Sequence, residues 1–324
     1  MNDLVLIITN KEDLTVDYIV RQLQRDDTPY YRFNTEDIGT AIDVGFDGND
    51  YQITDHRKDF TLALKNVSAV YFRRPSLPEY TANLSPGERA FLMREAECLL
   101  EGMYRNLQNR FWLNNVFDIR WLENKPLQLK LAKEIGLPVP PFCISTDTEI
   151  CRSFIDDHEK VIFKPLKTGF IDEGKERLGK ILYTTRVDKK FISKLDSLSE
   201  IPIYLQQEID KECDVRVTVV ENEAFAAKIF SQEAAESETD WRKSNDIPRH
   251  ETYELPNNIR EKCLELCSMA NLKFAAIDLI LDKSGNSWFL EINPNGQWVW
   301  IELLLEYPII QRIGRLLKQG NKGT

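Results

Sequence analysis

Residues 275–293 read AAIDLILDKSGNSWFLEIN, which is the pattern of a β-hairpin that carries acidic side chains. Two apolar runs, 275–281 and 287–293, flank DKSGN, and we centre the turn on its Ser-Gly pair. Symmetric pairing about that centre puts Asp278 directly opposite Glu291, because each is equally distant from the turn. The sequence therefore predicts two carboxylates facing each other across adjacent strands.

Those opposed carboxylates pose an electrostatic problem that a divalent cation would remove. With a period of two along the second strand, Glu291 and Asn293 share a face with Phe289. Opposed residues have Cβ atoms roughly 4.5–5.5 Å apart, where like charges destabilise the pair, and burial adds to the cost. Two carboxylates and an amide oxygen form an all-oxygen site suited to Mg²⁺. The alternative is a different register in which one carboxylate faces solvent.

The composition limits the classes of protein that this chain can be. The chain has 324 residues, 42% of them apolar, which is enough for two or three packed units. Its net charge of −10 argues against a broad nucleic-acid interface. Its N-terminus, MNDLVLIITN, has too short an apolar run for a signal peptide or membrane span. Six cysteines without CxxC spacing and three scattered histidines indicate neither a zinc site nor a disulfide framework. We expect a cytoplasmic protein that binds neither nucleic acid nor membranes.

Strand and helix patterns alternate along the chain, which predicts an α/β or α+β fold with mixed sheets. The first elements are the strand LVLIIT, a helix from about Leu14 to Arg25 and the strand YYRFN, a βαβ beginning. A long helix follows Pro86, and a boundary lies near 112–122. We divide the chain into an N-terminal α/β domain, a central subdomain and a C-terminal subdomain, at residues 1–118, 119–204 and 205–324.

A lysine and a glycine-containing segment in the central part suggest phosphate binding. Lys164 ends the apolar strand VIFK, shortly before Gly169 and two further glycines that would let a hairpin flap close over a ligand. The stretch GFIDEGKE, 169–176, nearly fits a P-loop, but Glu176 stands where a hydroxyl is required. The segment after it reads as a strand, whereas a P-loop opens a helix. We therefore reject the P-loop and retain the flap.

Three more charged residues lie where a phosphate could reach them. Lys125 begins its own helix, where a cation opposes the helix dipole, so another anion could hold it there. In DVRVTVV, Asp214 and Arg216 share one face of a strand, and arginine can grip a phosphate or a carboxylate with two parallel hydrogen bonds. Taken singly, each is better explained by a solvated strand end or a surface ion pair than by a phosphate site. Their order along the chain carries more information.

That order resembles the ATP-grasp superfamily over about residues 120–300. It consists of a lysine, FKP, a glycine flap, QQEI, DVR, a late aspartate and ExN. Within the superfamily, the chain resembles the graspetide synthetases, the microviridin-type peptide macrocyclases. The motifs that carry this closer resemblance are VYFRRP, TDWRK, AAIDLIL and FLEINPNGQWVWIE.

The resemblance implies an ATP-grasp fold, preceded by a pre-ATP-grasp domain, with ATP held between two small sheets. It implies that Asp278, Glu291 and Asn293 hold Mg²⁺, and that Arg216 and Arg242 stabilise the transferring phosphoryl group and the acyl phosphate. The residues that it implies for ATP binding are Lys125, Lys164, Lys167, Gly169, Gln207, Glu208, Ile209 and Asp214.

The activity that the resemblance implies is ATP-dependent macrocyclisation of a precursor peptide with a leader and a core rich in acidic and hydroxyl side chains. An Asp or Glu carboxylate would be joined to a Ser/Thr hydroxyl as an ester, which we favour, or to a Lys amine as an amide. Arg73 and Arg74 could bind the acidic core, or form an ion-pair cluster within the N-terminal domain. A ligase that adds amino acids to a protein tail or small acid, and a non-catalytic ATP-binding protein, remain alternatives. A homodimer is compatible with the sequence.

Overall fold

The structure, a computed structural model, describes residues 3–78, 80, 83–167, 170–171, 180–233 and 248–320. Among these residues, no helix has the length and apolar character needed to cross a membrane. The β-strands are β1 (Leu4–Thr9), β2 (Tyr30–Asn34), β3 (Ile42–Phe46), β4 (Tyr51–Asp55), β5 (Phe60–Ala63), β6 (Val67–Phe72), β7 (Phe111–Trp112), β8 (Phe142–Ser145), β9 (Val161–Lys164), β10 (Phe170–Ile171), β11 (Lys180–Ile181), β12 (Thr185–Arg186), β13 (Ile203–Gln207), β14 (Lys211–Val220), β15 (Glu223–Ile229), β16 (His250–Tyr253), β17 (Phe274–Asp282) and β18 (Ser287–Asn293).

The α-helices alternate with these strands, so the predicted α/β class is confirmed. They are α1 (Leu14–Arg25), α2 (Pro86–Asn106), α3 (Val116–Leu122), α4 (Lys125–Glu134), α5 (Thr148–Asp156), α6 (Lys189–Lys194), α7 (Asn257–Met269), α8 (Val299–Leu305) and α9 (Ile309–Gly320). The chain forms two compact units, of which the first contains residues 1–119, 271–274 and 295–324, and the second residues 120–270 and 275–294. The three-part division at 118 and 204 stays a prediction.

The first unit is built on a parallel sheet with strand order β2-β1-β6-β7. Strands β1 and β6 are buried along their whole length, as their continuous apolar sequences require for a sheet covered on both faces. The chain passes from β1 to β2 on one side and later returns to β6 on the other. The topological switch therefore lies between β1 and β6, where open α/β sheets commonly bind ligands at the carboxyl ends of the strands. A second sheet, β3-β4-β5, is antiparallel.

The second unit contains the sheet β12-β9-β13-β8, in which each neighbouring pair is antiparallel. The short antiparallel pair β10-β11 joins Phe170 to Ile181, so the predicted glycine segment is flanked by paired strands. The rest of that segment, Gly169 included, lies outside the described residues. The largest sheet of this unit is β16-β15-β14-β17-β18, which carries four of the charged side chains predicted for the site, Asp214, Arg216, Asp278 and Glu291.

Helix α7 packs its apolar side against the sheet β16-β15-β14-β17-β18. Ile259, Cys263, Leu266 and Ala270 follow one another at helical spacing and are all buried, as their periodicity predicts. The helix contacts β14 and β15. On β14, Asp214 and Arg216 alternate with Val215 and Val217, so the polar and the apolar side chains lie on opposite faces of the strand.

Candidate active site

The hairpin formed by β17 and β18 pairs Asp278 with Glu291, as the sequence predicts. The turn itself differs from the prediction. Asp282 donates its backbone N–H to Asn286 O at 2.9 Å, and Gly285 adopts a φ of +84°, so the loop is centred on Ser284. If the strands paired regularly from this shorter loop, Asp278 would lie opposite Leu290.

A β-bulge restores the predicted pairing of the two carboxylates. The register shifts between Asp278 and Leu279, so that Leu279 faces Phe289 while Asp278 faces Glu291, and Leu290 is the extra residue. The bulge also reverses the face of Phe289, which is fully buried on the side of Ile292. The prediction that Phe289 shares a face with Glu291 was therefore wrong, because a strict period of two does not hold across a bulge.

Three oxygen-bearing side chains converge beside the bulge. Asn293 Nδ2 lies 3.3 Å from Asp278 Oδ2 and 3.2 Å from Glu291 Oε1, so the amide bridges both carboxylates. A rotation of that amide would turn its oxygen toward the same point. In the part of the chain that the structure describes, no cluster of three or more His, Cys, Asp or Glu forms a different metal site. The set of two carboxylates and one amide fits a hard cation such as Mg²⁺.

Each of the two carboxylates is also paired with a cation of the protein. Arg216 Nε lies 3.1 Å from Asp278 Oδ1, and Lys125 Nζ lies 3.4 Å from Glu291 Oε2. Arg216 comes from β14, the neighbour of β17, and is buried. These ion pairs reduce the like-charge repulsion across the hairpin that the sequence alone suggests, since each negative charge has an opposite charge close by.

Lys125 reaches the site because helix α4 begins there. Asn124 caps the helix by accepting a hydrogen bond from Leu127 N at 3.1 Å. As the first residue of the helix, Lys125 carries its positive charge where the dipole disfavours it. Its ammonium group donates to Pro165 O at 2.9 Å and is ion-paired with Glu291, so the anion expected near this lysine includes a carboxylate of the protein itself.

Lys164, at the end of β9, is held by a residue of the adjacent strand. Its ammonium donates to Gln206 Oε1 at 2.9 Å, and Gln206 Nε2 donates to Tyr204 OH at 3.2 Å. Gln206 and Tyr204 are both buried. Burial raises the pKa of Tyr204, and the charge of Glu291 raises it further. Tyr204 and Gln206 were not singled out from the sequence, although a glutamine within the predicted strand IYLQQ is a signal, because a buried polar side chain needs a hydrogen-bond partner.

The backbone after β13 borders a cavity of about 450 Å³ in the second unit. Gln207 N donates to Pro141 O and Glu208 N donates to Lys160 O, both at 2.9 Å. These bonds fix the segment next to the ends of β8 and β9. The Glu208 carboxylate accepts from Arg186 Nε at 2.9 and 3.0 Å. The lining residues are Glu159, Lys160, Gln207, Glu208, Ile209, Asp210, Asp282, Lys283, Ser284 and Trp288.

Asp214 on β14 and Trp288 on β18 are both held by hydrogen bonds, and Trp288 lines this cavity. Asp214 accepts from Lys211 Nζ at 2.8 Å and also from Ser231 Oγ, and all three residues are buried. The indole N–H of Trp288 donates to Asp282 Oδ2 at 2.9 Å, which fixes the ring. Hydrogen bonds from Trp288 and from the turn lower the pKa of Asp282 to about 2. Trp288 and Lys211 were not singled out from the sequence.

The paired arginines lie in the first unit, at the carboxyl end of β6. Arg73 is only 1% exposed, is ion-paired with Asp13 at 3.3 Å, and donates to Asn295 O at 2.6 Å and to Gln297 Oε1 at 3.0 Å. These contacts correspond to the ion-pair alternative for Arg73. Arg74 is exposed and donates to Asn295 O at 3.2 Å.

Of the remaining predicted site residues, Lys167 is exposed at the edge of the described chain. Gly169 and Arg242 lie outside the described residues. The structure brings together Lys125, Arg216, Asp278, Glu291 and Asn293, which are joined by ion pairs and hydrogen bonds.

Two family models match consecutive parts of the chain. The MvdD pre-ATP grasp domain matches residues 4–120, and the RimK-like ATP-grasp domain matches residues 122–315. The comparison with curated proteins found no match.

Solved structures of ATP-grasp ligases are similar to the whole chain. A Chryseobacterium gregarium RiPP-associated ATP-grasp ligase, in complex with ADP and a leader and core peptide, is 28% identical with a TM-score of 0.89, covering 98% of this chain and 96% of that one. The macrocyclase MdnC from Microcystis aeruginosa MRC, bound with precursor peptide MdnA, is 28% identical with a TM-score of 0.86, covering 97% and 99%. The macrocyclase MdnB from the same organism is 27% identical with a TM-score of 0.80, covering 97% and 99%.

Proposed function

The chain belongs to the ATP-grasp family, with a RimK-like ATP-grasp domain, and on that premise we propose that it macrocyclises a precursor peptide in an ATP-dependent ligation. The observation that carries the proposal is the similarity over 98% of the chain to a RiPP-associated ligase solved with ADP and a leader and core peptide. The intact acidic hairpin supports a catalytic protein over one that only binds nucleotide.

The residues of the second unit supply the contacts that ATP would need. We assign Lys125 and Lys164 to the phosphates, because Lys125 is ion-paired with Glu291 of the acidic hairpin and Lys164 ends β9 shortly before the predicted flap. The backbone of Gln207, Glu208 and Ile209 would meet the adenine, since it borders the cavity of about 450 Å³. Asp214 would lie near the nucleoside, and the flap with Lys167 and Gly169 would cover the phosphates.

Asp278, Glu291 and Asn293 would hold Mg²⁺, since both carboxylates meet at the Asn293 amide, a rotation of that amide would bring its oxygen to the same point, and no softer ligand is among them. When bound there, Mg²⁺ would supply positive charge that stabilises the phosphoryl transfer. Arg216 is oriented by its ion pair with Asp278 and would stabilise the transferring group. We assign the same role to Arg242.

The chemistry begins with a carboxylate, which is a poor electrophile. An oxygen of the peptide's Asp or Glu side chain attacks the terminal phosphorus of ATP, forming an acyl phosphate and releasing ADP. A Ser/Thr hydroxyl or a Lys amine of the same peptide then attacks the acyl carbon. Inorganic phosphate leaves with the carboxylate oxygen, the nucleophile loses its proton, and an ester or amide closes the ring. We favour the ester.

For the peptide's acidic core we propose Arg74, which is exposed where β6 ends beside the topological switch. Arg73 was predicted with it, but its buried contacts with Asp13 and residues 295–297 support a role in shaping the loop instead. The substrate would thus carry acidic and hydroxyl side chains in its core, behind a leader. Action in the cytoplasm and assembly as a homodimer belong to the proposal as well.

Mass spectrometry of a candidate precursor tests this function. The chain, ATP and Mg²⁺ are incubated with a short peptide rich in Thr and Asp/Glu that is encoded beside this gene. The proposal predicts that the peptide loses the mass of one water for each bond formed. Hydroxylamine then opens esters and leaves amides intact. A peptide that gains the mass of an amino acid would instead identify a ligase that adds residues.

A further inference from the structure

A directional chain of hydrogen bonds connects Lys164 to Tyr204 through the side chain of Gln206. Lys164 Nζ donates to Gln206 Oε1 at 2.9 Å, and Gln206 Nε2 donates to Tyr204 OH at 3.2 Å. Gln206 is completely buried and Tyr204 is 2% exposed, so bulk water does not replace either bond. The three residues come from the adjacent strands β9 and β13.

The direction of this chain is fixed by the donors that each group has. An ammonium group has three donors and no acceptor, so only the carbonyl side of the Gln206 amide can face Lys164. The NH₂ side is thereby turned toward position 204, where the tyrosine hydroxyl accepts. With the amide rotated by half a turn, donors would oppose donors on the lysine side. Lys164 thus selects the orientation of the amide, and Tyr204, by accepting from Gln206 Nε2, holds the amide in that orientation.

The hydroxyl of Tyr204 does not use its own proton in the hydrogen bond with Gln206. Because it accepts from Gln206, its own O–H cannot point at that amide and is directed elsewhere. Burial raises the pKa of this hydroxyl and the negative charge of Glu291 raises it further, so Tyr204 stays protonated at neutral pH.

We propose that Tyr204 is a positioning residue for nucleotide binding: it holds the Gln206 amide with its oxygen toward Lys164 and so fixes the ammonium that contacts the ATP phosphates. The inference rests on the proposed function, because it assumes that Lys164 binds phosphate. It adds two buried residues, Tyr204 and Gln206, that contact no substrate themselves.

A double-mutant cycle between Tyr204 and Lys164 tests this inference. Binding of a non-hydrolysable ATP analogue with Mg²⁺ is measured by calorimetry for the wild type, Tyr204→Phe, Lys164→Met and the double variant. We expect Tyr204→Phe to weaken binding about fivefold, the loss typical of one neutral hydrogen bond, here the one between Gln206 and Tyr204. In the Lys164→Met background the same change should alter binding by about twofold or less, because no ammonium remains to be oriented.

The control is Tyr253→Phe, which removes a hydroxyl from β16, in the same unit but outside this hydrogen-bond chain. It should bind the analogue like the wild type. Thermal melts establish that each variant is folded, and a Gln206→Leu variant repeats the test from the middle residue. Equal effects of Tyr204→Phe in both backgrounds, in folded protein, would overturn the positioning role and leave the proposed function intact. A wild type that binds no nucleotide would overturn both.

Discussion

Lys125 Nζ lies 3.4 Å from Glu291 Oε2, so the first residue of helix α4 neutralises a carboxylate that is predicted to bind metal. Arg216 does the same for Asp278 at 3.1 Å. Both cations are also the groups assigned to phosphate. When nucleotide and metal bind, we therefore expect both ion pairs to break. The carboxylates of Glu291 and Asp278 would then ligate the metal, and Lys125 and Arg216 would contact the phosphates.

Replacing Lys125 by Met should strengthen the binding of Mn²⁺ to the nucleotide-free protein severalfold while weakening ATP binding. The lysine competes with the metal for Glu291, and a partly exposed ion pair contributes about 1 kcal/mol. Electron paramagnetic resonance measures free Mn²⁺ during the titration. Lys130→Met is the matched control, since Lys130 lies on the same helix and is ion-paired with Glu134 at 3.7 Å rather than with Glu291. Unchanged or weaker Mn²⁺ binding in Lys125→Met would contradict the exchange.

Replacing Glu291 by Gln should abolish ATP turnover and change the free energy of unfolding in EDTA by about 1 kcal/mol or less. The ion pair with Lys125 is lost, but the repulsion from Asp278 falls as well, and exposed or partly exposed pairs contribute little. Thermal melts in EDTA and ADP release in Mg²⁺ are measured side by side. Glu134→Gln on helix α4 serves as the control. Turnover near the wild-type rate in Glu291→Gln would show that this carboxylate is not an essential ligand.

The hairpin turn should respond to pH through Asp282. Hydrogen bonds from Trp288, Asn286 and Ser284 lower the pKa of its carboxyl to about 2, below the unfolded value near 3.8. Its contribution to stability is therefore complete above about pH 4 and is lost as the pH falls toward 2. We expect Asp282→Asn to be less stable than the wild type at pH 7 and the difference to shrink at pH 3. Urea unfolding at both pH values measures it, and a constant difference would contradict the assignment.

The thiols should differ in reactivity. Burial raises the pKa of Cys143, and it raises the pKa values of Cys151 and Cys213 to about 11 and that of Cys263 to about 12. Cys267 is buried next to Cys263, whereas Cys98 is exposed on helix α2. Ellman's reagent at pH 8 should therefore label one thiol rapidly in the native protein and all six after unfolding. Replacing Cys98 by Ser should remove the fast phase. A fast phase that persists in this variant would contradict the exposure of Cys98 on helix α2 and the burial of the other thiols.

Much of this fold could be predicted because it depends on local patterns. The apolar runs mark β1, β6 and β17, helix α1 has the predicted bounds, and symmetry about the turn pairs Asp278 with Glu291. That pairing emerged despite an incorrect turn centre, because the bulge at Leu290 compensates for the shorter loop. A bulge leaves no mark in a binary pattern, which is why the face of Phe289 was assigned wrongly.

Other features depend on contacts between distant residues and could not be predicted. Arg73 is enclosed by residues more than 200 positions away, so the sequence around RRP does not reveal its burial. The hydrogen bond between Lys164 and Gln206 requires knowing that β9 and β13 are neighbours. The cations that neutralise the acidic hairpin come from helix α4 and β14, whose positions a hairpin sequence does not specify.

The central claim, that a peptide carboxylate is activated as an acyl phosphate, is tested most directly by isotope transfer. A precursor with its Asp and Glu side-chain carboxylates labelled with ¹⁸O is incubated with the protein, ATP and Mg²⁺, and the inorganic phosphate is analysed by mass spectrometry. The mechanism predicts that one ¹⁸O atom appears in phosphate for every ester or amide bond formed, because phosphate leaves with the carboxylate oxygen. Ring formation with unlabelled phosphate would contradict it.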